Sequence, residues 1–297
     1  MSAAASSAAE APPLVAIERV AKAFGETRAL RDCTLLVRPG TVHAVIGENG
    51  SGKSTLVKIL TGVVQPDAGT LAIAGRPTRL ARPADARAAG IATTFQEILV
   101  LEELSLLDNL WLGQDALFRA RIPAARRRSE AEAIMRELTG AAPDLGARVA
   151  DLDLGTRQAA VTARSLLLSP RLLILDEAPA ALDIAVRDRL FAAVRARVAA
   201  GLAVLFITHK MDEIAALADT VTVLRSGETV ATLPVAEATP ARMLSLMSGR
   251  TETARAATVA AASGGAVLAA RDLRLAAGAA PFTLDVAAGE ILGLGGL

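Results

Sequence analysis

One run of nine residues constrains this chain more than any other: Gly47-Glu48-Asn49-Gly50-Ser51-Gly52-Lys53-Ser54-Thr55. It follows the apolar stretch Val42 to Ile46, which reads as a strand, and leads into Thr55-Leu56-Val57-Lys58-Ile59-Leu60, which reads as the start of a helix. Strand, glycine-rich loop and helix, with Lys-Ser at the end of the loop, is the context of a phosphate-binding loop. Glycines let the backbone curl so that successive N–H groups point inward at phosphate oxygens. The helix N-terminus adds its partial positive charge. Lys53 supplies a mobile cation for β- and γ-phosphates, and the Ser54 hydroxyl suits Mg²⁺. A surface turn is the bland alternative, and Lys-Ser at this spacing argues against it. The loop implies a nucleoside triphosphate and leaves the use of its energy open.

Composition narrows the setting. At 297 residues there is room for one large domain and part of another. With 32 basic and 31 acidic residues the net charge is +1, so there is no electrostatic footprint for nucleic acid. Aromatic residues make up only 2%, and the core has to be built from Leu, Val, Ile and Ala. The single cysteine, Cys33, forms no internal disulfide, fits a reducing compartment and reads as a small buried apolar residue. The longest apolar runs, such as Ala203 to Ile207, have the length of strands rather than membrane spans. Residues 1–13 are rich in Ala and Ser without a basic start, and read as a disordered tail rather than a signal peptide. A cytoplasmic protein is expected.

Strands are expected at Val15 to Val20, Thr34 to Val37, Val42 to Ile46, Leu172 to Leu175 and Ala203 to Ile207. Continuous apolar runs of this kind suit a parallel sheet covered on both faces, an α/β layout. From about Val100 to Ala160 the pattern turns helical. The triplet Arg126-Arg127-Arg128 before Ser129-Glu130 reads as a solvated helix face near a helix start rather than a phosphate site. Residues 251–265, rich in Ala, Thr, Ser and Gly, read as a linker. Beyond them the sequence repeats itself. Leu36-Val37-Arg38-Pro39-Gly40-Thr41-Val42 corresponds to Asp285-Val286-Ala287-Ala288-Gly289-Glu290-Ile291, Gly296 takes the place of Gly47, and Leu268 to Leu275 mirrors Val15 to Val20. Residues 266–297 are therefore expected to be the opening strands of a second copy of the domain, with open edges and almost no core.

A second group of polar residues stands at predicted strand ends. Leu172-Leu173-Ile174-Leu175 ends in Asp176-Glu177. Asp176 can hold Mg²⁺ and Glu177 can orient or deprotonate an attacking water. Asp183 follows in Ala181-Leu182-Asp183, and the next strand ends in Thr208-His209, where His209 could contact the γ-phosphate. A lone histidine at a strand end is more often structural, so His209 depends on its neighbours. His43, inside the strand before the loop, reads as structural.

Together these residues resemble the ATP-binding cassette superfamily. The resemblance implies that Phe24 stacks on adenine, Gln96 in Thr94-Phe95-Gln96-Glu97 is the Q-loop glutamine and His209 the switch histidine. It sharpens to the tandem sugar-importer branch at Val42 to Gly50, at Glu103-Leu104-Ser105 with Asp108 to Gly113, and at Ile207 to Ile214. It covers Val15 to Arg250 and resumes in the repeat. The implied fold is a P-loop cassette with a mixed sheet core, an antiparallel β subdomain and a helical subdomain at about 98–160, spanning 14–250. A truncated second cassette follows. The implied site holds Mg-ATP on Gly47, Asn49, Gly50, Ser51, Gly52, Lys53, Ser54 and Thr55, with the metal on Ser54, Gln96 and Asp176. Glu177, His209, Lys53 and Gln96 serve hydrolysis. The implied partners are membrane permease subunits, an extracellular or periplasmic sugar-binding protein acting indirectly, and a second cassette. The location is peripheral, on the inner face of the membrane.

Two segments depart from that family's pattern. Its signature, Leu-Ser-x-Gly-Gln, here reads Leu152-Asp153-Leu154-Gly155-Thr156, which places a carboxylate where the resemblance implies an approaching phosphate from the opposing cassette. Like charges there repel by roughly several kcal/mol unless Asp153 is protonated. After Glu177 the chain reads Ala178-Pro179-Ala180 where Pro-Thr is usual, which alters the turn toward Asp183. The leading expectation is the ATPase subunit of a bacterial carbohydrate importer. A nucleotide-binding regulatory module with poor hydrolysis competes with it, on the strength of Asp153 and the missing half. A ribosome- or DNA-associated cassette is disfavoured by the balanced charge. The 297-residue chain is expected to bind Mg-ATP and hydrolyse it weakly, because the donors that close over Lys53 lie in a second cassette.

Overall fold

The computed structural model describes residues 12–94, 99–114, 122–176, 184–249, 265–274 and 280–293. They fall into two compact units, one within 1–250 and the other within 251–297.

In the first unit, strands β1 (Val15–Phe24) and β2 (Thr27–Val37) form a hairpin, and β3 (Val42–Ile46) runs into helix α1 (Lys53–Leu60). Next come β4 (Ala68–Ile73), β5 (Arg76–Pro77), α2 (Pro83–Ala88) and β6 (Ile91–Thr94). The helical stretch holds α3 (Leu106–Leu110), α4 (Ala124–Thr139) and α5 (Leu154–Leu167). Strands then alternate with helices: β7 (Leu172–Asp176), α6 (Ile184–Ala199), β8 (Ala203–Ile207), α7 (Met211–Leu217) and β9 (Thr220–Arg225). β10 (Glu228–Pro234) and α8 (Pro240–Ser248) complete the unit.

The strands join in the order β5-β4-β1-β2-β10-β9-β3-β8-β7-β6. From β9 to β6 all neighbours are parallel, whereas β1, β2, β4 and β5 pair antiparallel. The expected mixed sheet is thus an antiparallel half fused to a parallel half. The parallel half is apolar on both faces because successive strand side chains alternate. In β8, Val204 and Phe206 pack with the helical stretch, against Leu106, Leu110, Trp111, Met135 and Val194. Ala203, Leu205 and Ile207 face the other way, toward Ile17, Leu35, Leu56 and Leu60. Each fully buried Leu, Ile or Phe contributes roughly 1.5–3 kcal/mol, so the parallel strands are held from two sides.

The sequence leaves β4, β6, β9, β10, α6 and α8 unassigned, and α5 runs to Leu167, past the expected end of the helical region. The arginine triplet lies inside α4, which starts at Ala124. Arg126 and Arg128 pair with Glu130 and Glu132 on the solvent side, as a solvated face should. Arg127 instead lies over the Trp111 ring, 5.7 Å from its centre, and its carbonyl accepts the indole N–H at 3.1 Å. His43 is buried. Its ring bonds the Thr222 hydroxyl at 2.7 Å, and burial pushes its pKa down to about 4, so it is a neutral structural group. Cys33 is buried too, its thiol pushed up to about 11 by desolvation.

The second unit contains a hairpin of β11 (Ala266–Leu273) and β12 (Phe282–Ala287). Its register repeats that of β1 and β2. Val15 faces Val37, Ile17 faces Leu35 and Val20 faces Cys33; likewise Leu268 faces Val286, Ala270 faces Leu284 and Leu273 faces Phe282. Both first strands carry an irregularity at the same place. Arg19 and Asp272 adopt φ of 49° and 48°, and each donates its N–H to a threonine hydroxyl, Thr34 at 3.1 Å and Thr283 at 3.3 Å. Three residues past Val37 and Val286 stand Gly40 and Gly289, both at positive φ. The likeness noticed as a short Gly/Ala-rich match therefore extends to backbone detail. The expected linker (251–265) lies outside the described residues except for Gly265, and the expected tail (1–13) except for Pro12 and Pro13.

Candidate nucleotide site

The glycine-rich loop leaves the C-terminal end of β3, which lies between β9 and β8 in the parallel half. Ligands of open α/β sheets collect beyond the carboxyl ends of such strands. Gly52 is the N-cap of α1, at φ 109°, and a Cβ there would lie 2.6 Å from both the Ala29 carbonyl and the Leu30 side chain. Only glycine satisfies both the backbone angle and the space. A Cβ on Gly47 would collide with the Leu224 carbonyl and sit 2.5 Å from the Ser51 hydroxyl. The loop is therefore wedged between β2 and β9, with Ser51 buried and Glu48, Asn49 and Gly50 open to solvent.

Inside this wedge the Lys53 ammonium donates to the carbonyls of Gly47 at 2.7 Å and Glu48 at 3.0 Å. The lysine spans the loop from below and braces its curl. The Ser51 hydroxyl is buried without a hydrogen-bond partner among the described residues. Ser54, in the first turn of α1, is exposed, and Thr55 is half-buried.

The neighbouring strands bring the remaining groups to the same edge. β8 lies beside β3, with Val45 opposite Ile207; β7 lies beside β8, with Asp176 opposite Ile207. Asp176 thus ends β7 level with the last residue of β8, and Thr208-His209 step off β8 next to it. β6, beside β7, ends at Thr94. Gln96 lies just beyond it, outside the described residues, as do Glu177 and Asp183. Phe24 ends β1 at the tip of the first hairpin and is 47% exposed, so its ring can receive a base. Lys22 lies 5.6 Å from the ring centre and is held by Asp67 at 2.6 Å. The pairing of Lys22 with Leu30, which packs on Gly52, ties this hairpin to the loop.

Asp153 has a local task the sequence reading misses. It is the N-cap of α5: its carboxylate accepts the Thr156 N–H at 2.9 Å and the Thr156 hydroxyl at 2.7 Å. The Thr156 hydroxyl and the nearby backbone N–H groups hold its pKa below the usual carboxylate range. Protonation therefore does not relieve the expected repulsion, and the helix end already carries an anion of its own. Leu152 packs half-buried against the helical core, and a Cβ on Gly155 would lie 3.2 Å from the Asp153 carboxylate.

Two further carboxylates have no signal in the sequence, Glu213 beside the site and Asp219 at the opposite ends of the parallel strands. Glu213, a charge in the polar-looking run Lys210 to Glu213, is buried and bonds Thr208. Asp219 caps the start of β3 by accepting the Val42 N–H at 2.7 Å and pairs with Arg195 at 2.9 Å. A buried carboxylate becomes visible only when the partners folded around it are known.

Comparison with known proteins agrees with this layout. Residues 30–180 match the family profile described as ABC transporter. The ribose import ATP-binding protein RbsA 1 of Rhizobium johnstonii is 39% identical over 288 residues, which covers 96% of this chain and 56% of that protein. The corresponding RbsA of Corynebacterium glutamicum is 36% identical, over 96% and 54%. A putative ribose/galactose/methyl galactoside import ATP-binding protein of Burkholderia cenocepacia is 37% identical, over 96% and 56%. The chain spans about half the length of these relatives. Among solved structures, a nucleotide-free ATP-binding cassette from an ABC transporter superposes with a TM-score of 0.65 at 26% identity, covering 74% of this chain and 90% of that one. The ADP conformation of another cassette gives 0.68 at 24% identity, over 80% and 99%. With half of its length inside the family profile and a cassette fold throughout its first unit, the chain belongs to the ABC transporter family.

Proposed function

We propose that this chain carries the nucleotide-binding and ATP-hydrolysing cassette of a bacterial carbohydrate importer, coupling ATP turnover to a membrane permease. One observation carries the reading: the braced loop Gly47 to Ser54, Asp176 and His209 leave adjacent parallel strands at one edge of the sheet. The names of the relatives, ribose and related sugar import proteins, support the choice of cargo.

The residues fit a nucleotide with its cation. The loop N–H groups and the N-terminus of α1 would bind β- and γ-phosphates, while the bare Cα atoms of Gly47 and Gly52 let the loop pack tightly on β2 and β9 behind them. Lys53 would turn from the Gly47 and Glu48 carbonyls to phosphate oxygens, and Phe24 would stack on the base. Ser54 and Asp176, hard oxygen donors, would hold Mg²⁺ together with Gln96. Among the described residues no cluster of three His, Cys, Asp or Glu forms a cage by itself. That suits a cation which takes the rest of its ligands from phosphate and water. Mg²⁺ supplies charge neutralisation on the phosphates. Glu177 orients the attacking water in line with the departing diphosphate, and His209 and Lys53 offset charge on the transferring phosphoryl group.

The hairpin β11–β12 belongs to a second cassette, of which Ala266 to Leu297 is the opening. Its shared register, left-handed residue and threonine bond support this, as does the greater length of the relatives. The permease is met from the cytoplasmic side, and among the described residues no helix is long and apolar enough to cross a membrane. The sugar-binding protein acts through the permease. Equilibrium binding of a fluorescent ATP analogue with Mg²⁺ tests the core of the proposal. Lys53→Ala should weaken it about a hundredfold, by loss of a charge-assisted contact, and unchanged binding would refute the site. Co-purification of the full-length protein with a permease and stimulation of its ATPase by that permease test the transport role.

A further inference from the structure

We propose that Glu213 is a positioning residue that sets the orientation of His209, an inference resting on the role given above to His209. The turn Thr208-His209-Lys210 links β8 to α7. Thr208 is buried and His209 exposed, so the imidazole stands on a turn whose two flanks decide where it points. Both flanks are fastened to one carboxylate. Glu213 is 1% exposed; its Oε2 accepts the Thr208 hydroxyl at 2.7 Å, and its Oε1 meets the Lys210 ammonium at 3.1 Å. The Thr208 oxygen in turn accepts the Lys210 N–H at 3.1 Å, which closes a ring across His209.

A buried carboxylate is costly unless its oxygens are satisfied, and here the groups that satisfy it are the two neighbours of His209. Polar networks of this kind, once complete, fix a single geometry. The next turn adds a second restraint: Ile214 donates its N–H to the Lys210 carbonyl at 3.2 Å, which keeps Glu213 on the helix face directed at the turn. Outside this ring, Arg187 pairs with Asp188 and Asp212, so the charge next to Glu213 is already balanced and Lys210 stays with Glu213. Glu213 is buried and its described partners are the two neighbours of His209, so it acts on the imidazole through the turn.

Single-turnover hydrolysis of Mg-ATP by the full 297-residue chain, in excess over nucleotide, tests this together with imidazole NMR. The chain has two histidines, His43 and His209, so His209→Ala assigns the spectrum. Glu213→Ala and the near-isosteric Thr208→Val should each lower the turnover rate about tenfold or more, as displaced catalytic groups do. The Kd for Mg-ATP should stay within about twofold, because the interaction serves the reaction step and not binding. The single His209 resonance should broaden or split in both variants. Glu213→Gln, which still accepts from Thr208, should recover most of the rate, and Glu213→Ala should cost nothing further in a His209→Ala background. If Glu213→Ala fails to fold, Thr208→Val decides alone. Loss of turnover in His209→Ala with normal rates in Thr208→Val and Glu213→Ala would overturn the inference and leave the role of His209 standing. Normal turnover in His209→Ala would overturn both.

Discussion

The first hairpin, β1–β2, and the last, β11–β12, are the same local structure in two settings. Register, left-handed residue, threonine bond and following glycine agree between them. Their burial does not. Val15, Ile17, Val20, Leu30, Leu35 and Val37 are buried against α1 and β4, whereas Val267, Leu268 and Leu273 are exposed. The comparison separates two contributions that usually arrive together. Strand pairing and the left-handed kink are written locally, in a few side chains and a turn. Burial depends on what the rest of a sheet and helix place on top. The second hairpin has the form of the first without the buried side chains that anchor it.

Amide hydrogen exchange offers the sharpest way to break this comparison. Protection of Ile17, Val20 and Leu35 should exceed that of Ala270, Leu273 and Leu284 by on the order of a thousandfold or more, since core strands open only with global unfolding. Equal protection would mean that β11–β12 has a core of its own. A smaller but more specific effect comes from one residue type at one register position. Leu35→Ala should cost about 2–5 kcal/mol in chemical unfolding of the first unit, and Leu284→Ala no more than about 0.5 kcal/mol. Similar losses would contradict the difference in burial.

Acid should also divide the two units. The folded pKa of His43 lies below its ordinary value of 6.5, near 4. The unfolded chain therefore binds more protons between those values, so its contribution is complete above about pH 6.5 and is lost as pH falls toward 4, by roughly 3 kcal/mol. His43→Gln should flatten that slope in a urea-midpoint series against pH; an unchanged slope would place the titrating group elsewhere. The unit containing β11–β12 has no histidine and should show no step in this range. The smallest effect concerns the shared threonine. Thr34→Ala should destabilise the first unit by about 1 kcal/mol, the usual worth of a hydrogen bond, while Thr283→Ala leaves global unfolding unchanged. Loss of the Asp272 amide shift in the Thr283 variant would still show that the bond is real.

What could be read from the sequence follows the same division. The loop Gly47 to Thr55, the apolar runs ending at Asp176 and His209, and the Gly40–Gly289 match are local spellings, and the structure brings the first three to one sheet edge. The left-handed Arg19 has no such spelling, because arginine does not announce positive φ, and the aspartate at 272, a residue type more tolerant of it, signals it only weakly. β9 and β10 pair with each other in a local hairpin, but what fixes them in the sheet is far along the chain: Thr229 bonds Thr34, and Thr220 to Val223 lie beside β3. Glu213 and Asp219 look like ordinary surface charges until their neighbours fold around them. Asp153 is the instructive case: a residue that reads as damage to a phosphate contact turns out to be a well-made helix cap. Asp153→Ser would keep the cap while removing the charge, and so separate the cap from the expected repulsion.

The Lys53 ammonium, already seated on the carbonyls of Gly47 and Glu48, has a consequence for how fast the loop can respond. If the loop binds nucleotide as proposed, its curl is already held by its own cation, so capture would be a change of partners rather than a disorder-to-order transition. The lysine trades two neutral acceptors for charged phosphate oxygens, and the backbone around it need not search for its shape. On release the same two carbonyls receive the ammonium again. Filling the proposed site would then call on the Lys53 side chain rather than on refolding of the backbone.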